Sequence, residues 1–278
     1  MELGKDDQVK YESAFEAEVW RLSTEHIHFH TVQFLEEGGP YGMKPVGTGV
    51  FVQILSRYFI FTASHVSEVA TSKNLYINSG GKFILVQGYV RETDLEKYKY
   101  LDLSYIILED GVGELLLNSY VPLQLSKIAA GHHLQETIGY VVLGYPEKNI
   151  RVEGSTVYAG STTMLLAGAK QKVYDYYNFD RTVHLVLNYS GKATSLETGE
   201  KTKANSSPYG ISGCGLWTIS PMQSGDKLVC DYHLIGIMIQ YRQGKYQILL
   251  GNRIELMMNA IQQFEGLQIG IYHPNHTS

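Results

Sequence analysis

Apolar residues recur along this chain in two rhythms, and the change between them marks a first boundary. Over residues 9–24, Tyr11, Phe15, Val19 and Leu22 stand among Glu, Ala and Lys at three- and four-residue intervals. That spacing gathers them on one face and predicts an amphipathic helix. From residue 25 the rhythm shortens to β-branched and aromatic runs broken by glycine-bearing turns. Six strands are expected at 28–35, 49–55, 58–63, 74–77, 82–90 and 102–109. After a link at 109–130, seven more are expected at 137–143, 155–159, 163–167, 183–188, 215–219, 234–240 and 247–250. Helical spacing returns at 253–264 through Ile254, Met257, Met258, Ile261 and Phe264, and 272–278 reads as a loose tail. Many short strands without intervening helices favour antiparallel barrels or sandwiches over a parallel α/β sheet. The expected organisation is an N-terminal helical appendage (1–24), a first β unit (25–120) and a second carrying the closing helix (121–278).

Composition narrows the partners. With 278 residues, 44% of them hydrophobic, the chain can bury a substantial core. Its 23 basic and 28 acidic residues give a formal charge of −5, without a clustered Lys/Arg run, so nucleic acid is not an expected partner. The first residues are polar and charged, unlike a secretory signal, and no apolar run is long enough to cross a membrane, so a cytoplasmic protein without membrane association is expected. Cys214 and Cys230 are expected to be free thiols, with a disulfide between neighbouring strands as the alternative. His26, His28 and His30 alternate and on a strand would share one face, but the outer pair would lie about 13 Å apart, too far to hold one ion. No metal or other cofactor is expected. His132 and His133 read as surface residues, and His184 and His233 as hydrogen-bonded strand residues.

Three separated segments carry chemistry. Gly210-Ile211-Ser212-Gly213-Cys214-Gly215 fences a serine with glycines, which can expose its hydroxyl while backbone amides turn outward. Taken alone, this is also the pattern of an ordinary tight turn. Phe59-Ile60-Phe61-Thr62-Ala63-Ser64-His65 is a strand-like run ending at a histidine, and Asp102-Leu103-Ser104-Tyr105-Ile106 is an aspartate leading into another strand. A serine hydroxyl needs a base to take its proton and a carboxylate to orient that base, and these three side chains supply that set.

With Gly47-Thr48-Gly49-Val50-Phe51 preceding the histidine run, these blocks resemble the chymotrypsin-like (trypsin-fold) serine peptidase family. Residues 139–146 are similar to the strand that opens the second barrel in bacterial members. The resemblance implies two six-stranded antiparallel β-barrels with a cleft between them. It implies Ser212 as nucleophile, His65 as general base and acid, Asp102 as orienting carboxylate, and the amides of Gly210 and Ser212 as the oxyanion hole. It also sets the base of the primary substrate pocket at Ser206, with Tyr209 at the entrance and Met238, Ile239 and Gln240 alongside the substrate backbone. An uncharged pocket disfavours cleavage after Arg or Lys. Ile211 stands where secreted members carry an aspartate that captures a new N-terminus, so activation by N-terminal trimming is not expected. Cys214-Gly215 replaces the common Gly-Pro, and Ser64 replaces the usual alanine. The expected function is a selective regulatory, stress or defence endopeptidase acting on a protein or peptide substrate, with the N-terminal helix as the place where a regulatory protein partner would dock. The alternative is a catalytically silent member of the fold that serves as a binding module.

Overall fold

In the computed structural model the described residues are 5–38, 42–94, 96–98, 100–135, 139–153, 156–189, 192–195, 201–203, 208–224 and 227–270. The chain opens with α1 (Lys5–Leu22), which runs into a π-helical turn (Ser23–Ile27) and a last helical turn at His28–His30. The three alternating histidines are therefore helical, which corrects the strand expected from residue 28. The first strand starts only at Thr31. Val19 and Leu22, three residues apart, are buried, and so is Ile27, five residues further on across the π-helical turn, so helical backbone keeps one face on the core past the expected end.

The first sheet comprises β1 (Thr31–Glu37), β2 (Met43–Ile54), β3 (Arg57–Thr62), β4 (Leu75–Ser79), β5 (Lys82–Leu85), β6 (Gly88–Glu92) and β7 (Ser104–Leu108), in the order β5-β4-β1-β2-β3-β7-β6. The expected strand at 82–90 is split at Val86-Gln87. There the Val86 N–H turns to Leu75 O and Gln87 O accepts from Glu109 N–H, so one bent run pairs with both ends of the sheet and curls it round. The link after β7 is not structureless: it forms α2 (Asp110–Leu116) and β8 (Leu123–Gln124), which lies parallel to β2.

The second sheet is built from β9 (Gly139–Gly144), β12 (Thr162–Ala167), β13 (His184–Asn188), β16 (Gly215–Ser224), β17 (Lys227–Arg242) and β18 (Ile248–Arg253), in the order β13-β18-β17-β16-β9-β12. A bridge between Gly168 and Leu187 and a bond from Ala169 N–H to Val186 O draw its two ends together. The hairpin of β14 (Lys192–Ser195) and β15 (Lys201–Lys203) extends β12, while β10 (Ile150–Glu153) pairs only with β11 (Thr156–Ala159). Helix α3 (Gln171–Tyr177), absent from the sequence expectation, joins β12 to β13, and α4 (Ile254–Glu265) closes the fold as expected. The molecule is thus mostly β, two strongly curled antiparallel sheets flanked by a helix at each end.

Burial on both faces explains the near-continuous apolar runs. Val50, Val52, Phe59 and Phe61 pack in one cluster with Val141, Leu143 and Trp217 of the second sheet, Leu22 of α1, and Met257 and Ile261 of α4. Their alternating neighbours Phe51 and Ile60 belong to a second cluster, with Phe34 and Ile106. Tyr140, Val142, Leu216 and Leu249 form a third. No helix among the described residues is long and apolar enough to cross a membrane.

Candidate active site

The three blocks converge where the sheets meet. Strand β3 ends at Thr62, and His65 lies in the short helical turn Ser64–Ser67 rather than at a strand end. Asp102 precedes β7 by two residues, in a connection whose backbone is tied from both sides. Its N–H donates to Asn252 Oδ1 at 2.9 Å, and Asn252 Nδ2 donates to Tyr100 O at 2.9 Å. From the other side, Ser64 Oγ donates to Leu103 O at 2.6 Å and accepts from Thr93 N–H at 3.1 Å. The hydroxyl that distinguishes Ser64 from alanine therefore fastens the histidine turn to the aspartate connection.

So held, the Asp102 carboxylate grips His65 twice. Oδ1 accepts the His65 backbone N–H at 3.1 Å and Oδ2 lies 2.5 Å from Nδ1. The Asp102 side chain is 14% exposed and the His65 side chain 42%, so the carboxylate faces inward while the imidazole reaches solvent. A proton on Nδ1 directed at the carboxylate leaves the Nε2 lone pair free to accept one.

The serine loop is pinned by Thr48, which is wholly buried. Its N–H donates to Ser212 O at 2.8 Å, its Oγ1 donates to Gly210 O at 2.9 Å and accepts from Tyr145 N–H at 3.2 Å, and its own carbonyl accepts from Thr62 Oγ1 at 2.8 Å. Gly213 has φ +87°, and a Cβ there would stand 2.0 Å from Thr48 O and 2.1 Å from Thr62 Oγ1, so only glycine fits against the strand that leads to His65. Gly210 also has positive φ, at +94°. Ser212 is half-buried, and its Oγ donates to Ile239 O at 3.5 Å and makes no hydrogen bond to His65. The N–H groups of Gly210 and Ser212 have no acceptor among the described residues.

The remaining expected positions divide by burial. Met238 and Ile239 are buried, Gln240 is exposed and Tyr209 is 70% exposed. Ser206 lies outside the described residues. The Met238 backbone is already engaged, accepting Gly213 N–H at 2.7 Å and donating to Cys214 O at 2.8 Å. Ile239 falls at a register shift between β17 and β18, which turns its carbonyl toward Ser212. Cys214, two residues beyond Ser212, is fully buried, and burial pushes its thiol far up, so it presents no thiolate. Both cysteines are free, and Cys230 belongs to a different cluster from Cys214.

Comparisons with known proteins add little. No family model matches the sequence, and no curated protein matches it. Among solved structures, one from work on aromatic interactions in the coupled folding and binding of the intrinsically disordered Sesbania mosaic virus VPg protein is 12% identical, with alignment over 86% of this chain and 91% of that chain. Its TM-score is 0.43, a likeness that carries no argument about activity.

Other histidines among the described residues have partners of their own. His26 stacks on Tyr232 at 5.7 Å between ring centroids, His28 meets Ser161 Oγ at 3.4 Å, and His30 lies between Val121 O (2.6 Å from Nδ1) and Tyr232 Oη (2.9 Å from Nε2). Burial lowers the pKa of His30 to about 4, and that of His28 in the same direction. His132 is half-buried against Tyr140 Oη at 3.1 Å, and His133 is exposed. Among the described residues, no group of three or more His, Cys, Asp or Glu side chains gathers to hold a metal. Sequence reasoning missed Asn252 and, although Thr48 stands in one of the motif blocks, missed its hold on the serine loop. A polar residue inside the apolar run at Thr48 was a usable signal, whereas nothing local marks Asn252, which lies 150 positions from Asp102.

Proposed function

We propose that this chain is a serine endopeptidase of the chymotrypsin-like type that hydrolyses peptide bonds of a protein substrate through an acyl-enzyme. The observation that carries the reading is the double grip of Asp102 on His65, which directs Nδ1 inward and leaves Nε2 as the accepting nitrogen. In the reaction, Ser212 Oγ adds to the scissile carbonyl carbon as His65 Nε2 takes its proton. The Gly210 and Ser212 amides, which lack acceptors among the described residues, stabilise the oxyanion. His65 then gives the proton to the leaving amine. Water, activated by the same nitrogen, attacks the acyl-enzyme and releases the second product with Ser212 restored. Rotation of the serine side chain away from Ile239 O precedes the first step. Ile211 is buried, so no carboxylate stands beside the nucleophile to capture a new N-terminus, and the chain acts without trimming.

A fluorophosphonate probe tests this directly. The intact protein should be labelled, and Ser212→Ala and His65→Ala should not; loss of any of the three side chains should cost about four to six orders of magnitude in peptide hydrolysis. An unlabelled but folded protein overturns the reading. It would favour a binding module with a silent site, the alternative to which the Ser212–Ile239 contact lends its support.

A further inference from the structure

Beyond Ile239, β17 continues through Gln240, Tyr241 and Arg242. On one side these residues pair with β18, but β16 begins only at Gly215, opposite Ile237, so among the described residues no strand covers their other side. An extended peptide can add to such an edge through its main chain. At the end of this edge the Arg242 guanidinium is enclosed by three aromatic rings, with Cζ 4.8 Å from the centroid of Tyr100, 5.3 Å from Phe179 and 5.8 Å from Tyr177. The rings brace one another: Tyr100 meets Phe179 edge-on at 5.7 Å, and Phe179 stacks on Tyr177 at 5.6 Å. Arg242 Nε donates to Gln240 Oε1 at 2.9 Å.

Among the described residues no carboxylate lies within ion-pair distance of Arg242, although the chain as a whole carries a net charge of −5. The side chain is half-buried and its guanidinium is held in one place, so the usual entropic cost of fixing an arginine on a ligand is already met by the fold. The cage is also tied to the triad, because Tyr100 O accepts from the Asn252 amide that orients Asp102.

Resting on the proposed peptidase reading, we propose that Arg242 is a specificity-determining residue that selects substrates bearing Asp or Glu at the third or fourth residue before the scissile bond. If the substrate pairs antiparallel with this edge and its scissile residue lies opposite Ile239, the residue opposite Arg242 is three further upstream. That is about 10 Å along the strand. Its carboxylate meets the two terminal nitrogens of a guanidinium already held among three rings, the fork geometry that arginine offers a carboxylate.

The test is a fluorogenic peptide library randomised over the four positions before the scissile bond, cleaved by the intact protein, Arg242→Gln and Arg242→Lys. The expected result is that Asp or Glu at the third or fourth position raises kcat/KM about tenfold over Asn or Gln, an advantage that shrinks with added salt. Arg242→Gln should bring the acid-to-amide ratio close to one, and Arg242→Lys should keep part of it. Indifference of the intact protein to charge at both positions, or an unchanged ratio in a folded Arg242→Gln, overturns the proposal. Anisotropy of the same peptides with Ser212→Ala separates the two readings, since binding does not require turnover. Acid-selective binding without cleavage or labelling by the intact protein would sink the peptidase and leave the role of Arg242 standing. Cleavage without acid preference would do the reverse.

Discussion

Asn252 shows how a side chain in one sheet can set the geometry of the Asp102–His65 pair held by the other. It is fully buried in β18, and its amide spans two backbone groups of the opposite sheet, accepting from Asp102 N–H and donating to Tyr100 O. Removing it leaves the part-buried Asp102 N–H without this acceptor, at about 1–3 kcal/mol, takes one donor from Tyr100 O, and releases the connection that fixes Asp102. On the proposed peptidase reading, Asn252→Ala should therefore lower kcat/KM at least tenfold with little change in KM. The low-field Nδ1 proton resonance of His65 should shift or broaden in the same variant. A purely structural role would lower the melting temperature and leave that resonance where it is. Asn252→Gln, which keeps the amide but overfills the site, should be intermediate.

At the scale of elements, the C-terminal end of α1 packs on the sheets. Leu22 is 3% exposed within the cluster that also holds Trp217 and Met257, and Glu18 Oε2 accepts the Cys230 N–H of β17 at 3.3 Å. Leu22→Ala should cost about 2–5 kcal/mol through lost contacts and the cavity left behind, seen as a shift of the urea midpoint without a change of slope. An effect below about 1 kcal/mol would mean that the helix is only loosely attached. The expected six strands of the first unit were legible because their apolar runs end at turn residues. The split of 82–90 was not, since its cause is the need to pair with β4 on one side and β7 on the other. The segment 28–30 misled for a related reason: alternation of His and apolar residues suits a strand, yet burial of Ile27 against the seam keeps it helical.

For the whole molecule, acid should be the weak side. Burial holds the pKa of His30 at about 4, below its ordinary 6.5, so that the unfolded chain takes up the proton first as pH falls. The stability this neutral imidazole allows is complete above pH 6.5 and is lost progressively toward pH 4, on the order of 3 kcal/mol at full extent. His28, His184 and His233 are shifted downward by burial and act in the same sense. Melting temperature should therefore fall between pH 7 and 4.5, and His30→Gln should flatten part of that slope; a slope unchanged in a folded variant would contradict it. From the sequence by itself came the β character, the two end helices, and the three segments from which a nucleophile, a base and an orienting carboxylate were expected, because strand periodicity and glycine-fenced turns are local properties. Tertiary structure alone decided which buried groups hold those segments together, Thr48 on the serine loop, Ser64 and Asn252 on the aspartate connection, and how Arg242 comes to be caged. Each of those contacts joins residues far apart in the chain, and a hydrogen bond or a stacked ring leaves no periodic trace in a linear sequence.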